Sequence, residues 1–167
     1  MTYSKKKYTL ALIGCGRVAN KHAKAFGHLK DELEVLALVD GRLEACQNLN
    51  HEHNLGLRDA QMFTSIENFY AANLPVDILA ITTPSGSHYA LAKEALTRGH
   101  HVFIEKPMTL DIEEARDLLT LSQKCSKKIA MGHIYRFFPL VEHIREDIVA
   151  GIYGELLSAE VRVHWGH

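Results

Sequence analysis

Tyr8 to Lys24 read YTLALIGCGRVANKHAK, and the order of residue types in that stretch decides the fold. A short apolar run, Tyr8 to Ile13, breaks into glycines, and the glycines open directly into a helical pattern; this spells a strand, a tight turn and a helix N-terminus. Gly14 permits the sharp turn. Gly16 lets a diphosphate approach the backbone without a Cβ in the way, and Ala19 stands at the third small position of G-x-G-x-x-G/A, where helix and strand pack closely. The unpaired N–H groups of the helix start then face an anion. Glycines also punctuate ordinary turns, so the motif needs context.

The context is Leu33 to Asp40, LEVLALVD, a second β-type run that ends in a carboxylate roughly where a βαβ unit puts its ribose ligand, about 20 residues past the glycines. An acid there accepts hydrogen bonds from both hydroxyls of an adenosine ribose and repels a 2′-phosphate, which favours NAD over NADP. Arg42 keeps NADP open, because a guanidinium two residues on can meet a phosphate. The competing reading is that Asp40 only starts the turn into the next helix.

A chain of 167 residues is long enough for one well-buried domain and too short for two of ordinary size. The formal net charge of −1 gives no electrostatic case for nucleic acid or an anionic membrane as partner. No apolar segment approaches the roughly 20 residues that span a bilayer, and the N-terminus has no apolar signal region; a cytoplasmic protein is expected. Lys5-Lys6-Lys7 reads as part of a solvated arm over residues 1–7. Cys15, Cys46 and Cys125 are odd in number and far apart, which suits reduced thiols better than a disulfide framework.

Strand and helix patterns alternate along the chain. A helix is expected over Arg17 to Leu29, with Val18, His22, Ala25, Phe26 and Leu29 on its inner face, and another from Arg42 to Leu49 with a tail beyond. A short edge strand is expected near Met62 to Thr64. Ser65 caps Ile66 to Ala72, and VDILAIT, Val76 to Thr82, is a continuous apolar run that reads as a strand buried on both faces. Thr83 to His88 then form a loop at a strand's carboxyl end, where open α/β sheets bind ligands. A helix follows from Tyr89 to Arg98 with Gly99 as its stop, then a strand over His101 to Ile104. Asp111 and Glu114 have capping-box spacing for a helix to about Cys125, with Ile112, Ala115, Leu118, Leu119 and Ser122 inward. A last strand, Lys128 to Gly132, precedes a helix from Leu140 to Gly151. The fold expected is a doubly wound (Rossmann) parallel α/β sheet over 8–138, with a connecting helix over 139–151.

Residues 152–167 change period. Leu157, Ala159, Val161, Val163 and Trp165 alternate with polar residues, the pattern of a half-buried antiparallel strand. One such strand cannot fold alone, so it is expected to be the first strand of a truncated α+β substrate domain.

Glu105-Lys106-Pro107 places a carboxylate, an ammonium and a rigid turn at a strand tip beside the one that carries Thr83 and Pro84. In a doubly wound sheet that tip faces the nicotinamide pocket, where a lysine can stabilise a developing alkoxide and an acid can hold the nicotinamide ribose. The alternative is an exposed ion pair at a strand end, worth about 0–1 kcal/mol.

Taken together, Gly14-Cys15-Gly16-Arg17-Val18-Ala19, Asp40, Thr83-Pro84 with His88, Glu105-Lys106-Pro107, the Gly132 to Pro139 segment with Arg136, and Gly154-Glu155 resemble the N-terminal half of the glucose-fructose oxidoreductase, inositol dehydrogenase and rhizopine-catabolism (Gfo/Idh/MocA) family of NAD(P)-dependent sugar dehydrogenases. The resemblance implies a cofactor site made by Gly14, Gly16, Arg17, Val18, Ala19, Asp40, Arg42, Thr83, Pro84, His88, Glu105 and Lys106. It also implies that Lys106 is catalytic and that Lys106 and Arg136 meet the substrate. The family's second motif, G-G-x-x-x-D-x-x-x-H, is expected in a C-terminal domain, and Ile134 stands where many members carry Asn. The Gly132-His133-Ile134-x-Arg136-Phe137 form and the RVHWGH ending resemble members acting on UDP-linked amino sugars or their uronates. The implied partners are a sugar or sugar nucleotide and, for the full-length protein, further copies of itself.

His51 with His53, and His164 with His167, lack a third ligand at useful spacing, so no metal site is expected. His88 begins a helix beside the cofactor mouth, where fixing the loop suits it better than moving a proton. Two rivals remain: a dinucleotide-binding sensor without chemistry, and an S-adenosylmethionine methyltransferase, which shares the glycine turn and the acid. Neither has a use for Glu105-Lys106-Pro107.

Overall fold

The computed structural model describes residues 7–162 and 164. They fall into two compact units, Met1–Gly132 and His133–His167; the division comes six residues before the expected boundary at 138. The first unit is built on a six-stranded, all-parallel sheet in the order β3-β2-β1-β4-β5-β6. Its strands are β1 (Tyr8–Ile13), β2 (Leu33–Val39), β3 (Met62–Phe63), β4 (Ile78–Ile81), β5 (His101–Ile104) and β6 (Ile129–Met131). The helices between them are α1 (Arg17–His28), α2 (Leu43–His53), α3 (Ile66–Ala71), α4 (His88–Thr97) and α5 (Ile112–Lys124). The chain winds outward from β1 to β3, then crosses back to lay β4 against the free side of β1. This is the doubly wound order, with its topological switch between β1 and β4.

Alternation along the strands sorts the core into two layers. Ala11, Ile13, Ala37, Val39, Leu79 and Ile81 face one layer with Phe69, Leu96 and Leu118. Leu10, Leu12, Leu38 and Ala80 face the other with Ala19, Ala23, Cys46 and Leu49. Strands covered on both faces read as unbroken apolar runs, which is why β1, β2 and β4 stand out in the sequence. Helix ends obey local chemistry as well. The Ser65 side chain accepts from Asn68 N, and the Asp111 side chain accepts from Glu113 N and Glu114 N, which makes both N-caps.

Two helical faces differ from the sequence reading. The side of α1 turned to the sheet is marked by Ala19 and Ala23, with His22 and Phe26 half-buried beside them, while Val18, Ala25 and Leu29 are exposed. Small residues let a helix lie close to the strands, so its buried face is the least bulky one. In α5 the buried positions are Leu118 and Ser122, with Ala115 and Leu121 half-buried; Ile112 and Leu119 are exposed.

The second unit contains a 3₁₀ turn, Ile134–Phe137, and α6 (Pro139–Val149), which starts with proline at its first turn. The expected strand is absent from its described part: residues 156–162 and 164 have no regular structure, and Leu157 is 88% exposed. An alternating pattern becomes a strand only when a neighbour completes its hydrogen-bond ladder, and no partner strand lies among the described residues. Val163 and Trp165 to His167 lie outside them.

The corrected face of α5 is testable. Leu118→Ala is expected to cost about 2–5 kcal/mol of unfolding free energy and Leu119→Ala less than about 1 kcal/mol, measured by urea denaturation. Equal losses would return Leu119 to the core.

Candidate functional site

The carboxyl ends of β1, β2, β4 and β5 converge, and the loops leaving them carry the sequence-predicted residues of the first unit. Gly14 ends β1 with φ +92°; a Cβ there would lie 2.9 Å from both Cγ2 and N of Thr83. Only glycine satisfies both the angle and the approach. The turn is tied on both sides: Gly14 N donates to the Val39 carbonyl (2.7 Å), and Thr82 Oγ1 lies 2.6 Å from the Gly14 carbonyl.

Gly16 is the N-cap of α1, with no side-chain cap and no acid in the first turn. Ala19 is buried. A Cβ added at Gly16 would meet nothing within 4 Å, so the open face of this backbone borders free space. First-turn N–H groups left without side-chain acceptors, bordering such space, fit a diphosphate. Arg17 and Val18 begin α1 as exposed residues, and a cleft beside the loop is lined by Gly16, Arg17, Asn20, Arg42 and Asn48 among others.

Asp40 follows β2, and its carboxylate is already at work. Oδ2 accepts from Cys15 N at 2.9 Å and Oδ1 from Arg42 N at 3.0 Å. Both oxygens keep a lone pair, so ribose hydroxyls can be received as well. Asp40 thus does start the turn, as the competing reading has it, and remains an acceptor. The Arg42 guanidinium stands 3.9 Å from Oδ1 and is 80% exposed. Next to Asp40, Cys15 Sγ lies 3.7 Å from Cys46 Sγ; that hydrogen bond, burial, and the charges of Cys46 and Asp40 push the Cys15 thiol up, which keeps it protonated and unreactive.

His88, the first residue of α4, is 1% exposed. Nδ1 lies 2.7 Å from the Pro107 carbonyl and Nε2 2.9 Å from the Thr83 carbonyl. Both ring nitrogens are engaged by backbone, so His88 clamps the loops after β4 and β5 together. A neutral imidazole carries one N–H, and both contacts are hydrogen bonds only in the doubly protonated ring. Thr83 Oγ1 receives the Ser87 hydroxyl at 2.7 Å, and Pro84 is exposed.

At the tip of β5 the alternative reading, an ion pair between Glu105 and Lys106, is not formed among the described residues. Glu105 is bonded to His22 of α1, at 2.7 Å, with both side chains 14% exposed. Lys106 is exposed and has no ion pair among the described residues. His22, read from the sequence only as part of a helix face, is the neighbour of Glu105 that reading missed; a titratable ring on the inner side of α1 was the available signal. Arg136 lies in the second unit, exposed, in the 3₁₀ turn. His53 Nε2 is bonded to Asn20 Oδ1 at 2.8 Å.

A doubly wound parallel sheet, a glycine turn at its switch point, an uncapped helix start and an acid after β2 define a dinucleotide-binding Rossmann domain. The profile of the GFO_IDH_MocA family, described as an oxidoreductase family with an NAD-binding Rossmann fold, matches residues 8–133. The chain belongs to that family, and NAD is the cofactor of its domain. It is 29% identical over 153 residues to D-glucoside 3-dehydrogenase of Escherichia coli K12, across 92% of this chain and 42% of that protein. It is 32% identical over 135 residues to UDP-N-acetylglucosamine 3-dehydrogenase of Acidithiobacillus ferrooxidans, across 81% and 40%. The WlbA dehydrogenase of Bordetella pertussis, solved in complex with NADH and UDP-GlcNAcA, superposes with a TM-score of 0.80 at 27% identity, across 89% of this chain and 44% of that one. The chain thus spans about two fifths of the length of these relatives.

The chain is expected to bind NAD more tightly than NADP in calorimetric titrations, and Asp40→Asn, which keeps an acceptor for Cys15 N, to narrow the gap at least about tenfold. Like charges about 4 Å apart at an effective dielectric of about 20 cost about 4 kcal/mol before Arg42 and solvent recover part of it. NADP binding as tight as NAD would show that Arg42 sets the preference.

Proposed function

We propose that this chain is the cofactor-binding part of a cytoplasmic NAD-dependent dehydrogenase that moves a hydride between nicotinamide and a secondary alcohol of a sugar, with UDP-linked amino sugars or their uronates as the favoured class. The observation that carries the reading is the tip of β5: a half-buried, oriented carboxylate followed by an exposed ammonium with no ion pair among the described residues, at the end of the sheet where the glycine turn lies. A binding module without chemistry has no need of that ammonium. The substrate class is supported by the UDP-N-acetylglucosamine and UDP-GlcNAcA named for two of the similar proteins.

Bound NAD supplies the hydride acceptor. In this assignment Gly14, Gly16, Ala19 and the start of α1 receive the diphosphate, Asp40 the adenosine ribose, and Thr83, Pro84 and Glu105 the nicotinamide end. His88 holds the two loops at their spacing. Lys106 donates to the substrate oxygen and stabilises the alkoxide charge present there once a general base has taken the hydroxyl proton; that charge passes into the C=O bond as the hydride moves to nicotinamide. Arg136 is assigned to the substrate's polar groups, and the working enzyme is assigned a homo-oligomeric state.

The test is Lys106→Met in the polypeptide that carries this sequence, assayed by NADH formation with UDP-N-acetylglucosamine, its uronate and free glucose. Loss of one preorganised donor is expected to lower kcat/KM about 100- to 1000-fold, while NAD affinity stays within about threefold. An unchanged kcat/KM removes Lys106 from the chemistry, and preference for glucose over both UDP-sugars overturns the substrate class.

A further inference from the structure

We propose that His22 is the positioning residue for Glu105, holding its carboxylate ready for the nicotinamide ribose; this rests on the reading that the tip of β5 faces that end of the cofactor. The bond joins residues far apart in the chain, His22 Nε2 to Glu105 Oε1 at 2.7 Å, and both side chains are 14% exposed. A carboxylate so far removed from water carries a desolvation cost unless donors offset it. His22 supplies one donor, in the stronger class of hydrogen bond that ends on a charged acceptor.

The surroundings leave the pair little freedom. The His22 ring meets Phe103 edge-on, with centroids 5.1 Å apart, and lies 6.3 Å from the Phe26 ring in a stacked arrangement. Opposite, Gly132 forms a backbone wall: a Cβ there would stand 3.0 Å from Oε1 and 3.3 Å from Oε2. Oε2 accepts from Lys106 N at 3.1 Å. Backbone bonds fix both sides of the wall, Glu105 N to the Ile81 carbonyl (3.0 Å) and Gly132 N to the Ile104 carbonyl (2.8 Å). One lone-pair direction on each oxygen stays unused, enough for a vicinal diol.

The same arrangement decides what the carboxylate does not do. Held by α1, Glu105 is withdrawn from the adjacent ammonium, and the acid and the base of one tripeptide keep separate roles. The inner face of α1 makes this possible, since Ala19 and Ala23 are small enough to bring the His22 ring down to the tip of β5.

The experiment titrates NADH and ADP separately into the chain by calorimetry. ADP carries adenosine and diphosphate but no nicotinamide ribose, so it reports on the glycine turn and Asp40 alone. His22→Phe keeps the ring and removes the donor; it is expected to weaken NADH about tenfold or more, the usual size for a lost hydrogen bond to a charged group, and to leave ADP within about twofold. His22→Gln, whose amide can replace the Nε2 donor, is expected to recover most of the affinity. Glu105→Ala should reproduce the selective loss, and adding His22→Phe to it should change NADH binding by less than about twofold. Equal loss of NADH and ADP, or equal damage from Phe and Gln, would mean that His22 only packs against Phe103 and would overturn the proposal. If His22→Phe does not fold, Glu105→Ala and His22→Gln decide: full NADH affinity in Glu105→Ala overturns it. An unaltered chain that binds ADP as tightly as NADH removes the tip of β5 from the nicotinamide end, and the functional reading falls together with this inference.

Discussion

Everything at the ligand end of the sheet depends on how closely two backbones approach at Gly14 and Thr83. A Cβ at residue 14 would sit 2.9 Å from the Thr83 backbone nitrogen, so the first glycine is a packing requirement of the sheet before it is a feature of any ligand site. That contact, with Thr82 Oγ1 on the Gly14 carbonyl and Gly14 N on the Val39 carbonyl, suspends the turn between β2 and β4. The start of α1 is aimed by the sheet rather than by the loop's own preferences. A mobile loop would lose affinity to the entropy of ordering itself around an anion; this one is ordered beforehand.

Polar groups at the strand tips show the same economy. Asp40, His88 and Glu105 each make internal bonds that hold a neighbouring loop, and two of them keep acceptor capacity to spare. Asp40 ties the glycine turn through Cys15 N, His88 joins the loops after β4 and β5, and Glu105 links β5 to α1. Side chains locked by their own hydrogen bonds present fixed geometry to whatever binds. Lys106 is the exception, an exposed ammonium with no ion pair among the described residues.

The sheet was legible in the sequence because buried parallel strands are continuous apolar runs, and the caps at Ser65 and Asp111 because capping is local chemistry. Gly14, Asp40 and Glu105-Lys106-Pro107 were legible as sequence positions, since order along the chain maps onto the strand tips once the winding is known. The buried faces of α1 and α5 were not, because hydrophobic periodicity weights bulky residues, whereas α1 packs through alanines. Nor was the His22 to Glu105 bond: it joins residues 83 positions apart, and nothing local to either residue encodes it. The alternating stretch after Gly154 forms no strand among the described residues for a related reason, because a strand is a property of two segments and the pattern belongs to one.

The strand order also bears on how the molecule is made. β1 is central and pairs along its whole length with β2, Tyr8 with Leu33 through Ile13 with Val39, but its other edge waits for β4, where Leu10 meets Ile78 and Ile13 meets Ile81. A ribosome delivers those partners in sequence, N-terminal end first, and pairings across such separations form slowly because the chain must close a long loop before any contact rewards it. Until residues 78–83 arrive, the nascent chain carries an open apolar edge at Leu10 to Ile13 and a glycine turn with nothing to lean on. Such an edge is a template for pairing with other chains. The interval between the synthesis of β1 and that of β4 is therefore the one in which this edge lies uncovered, and the glycine turn gains its support as that interval ends.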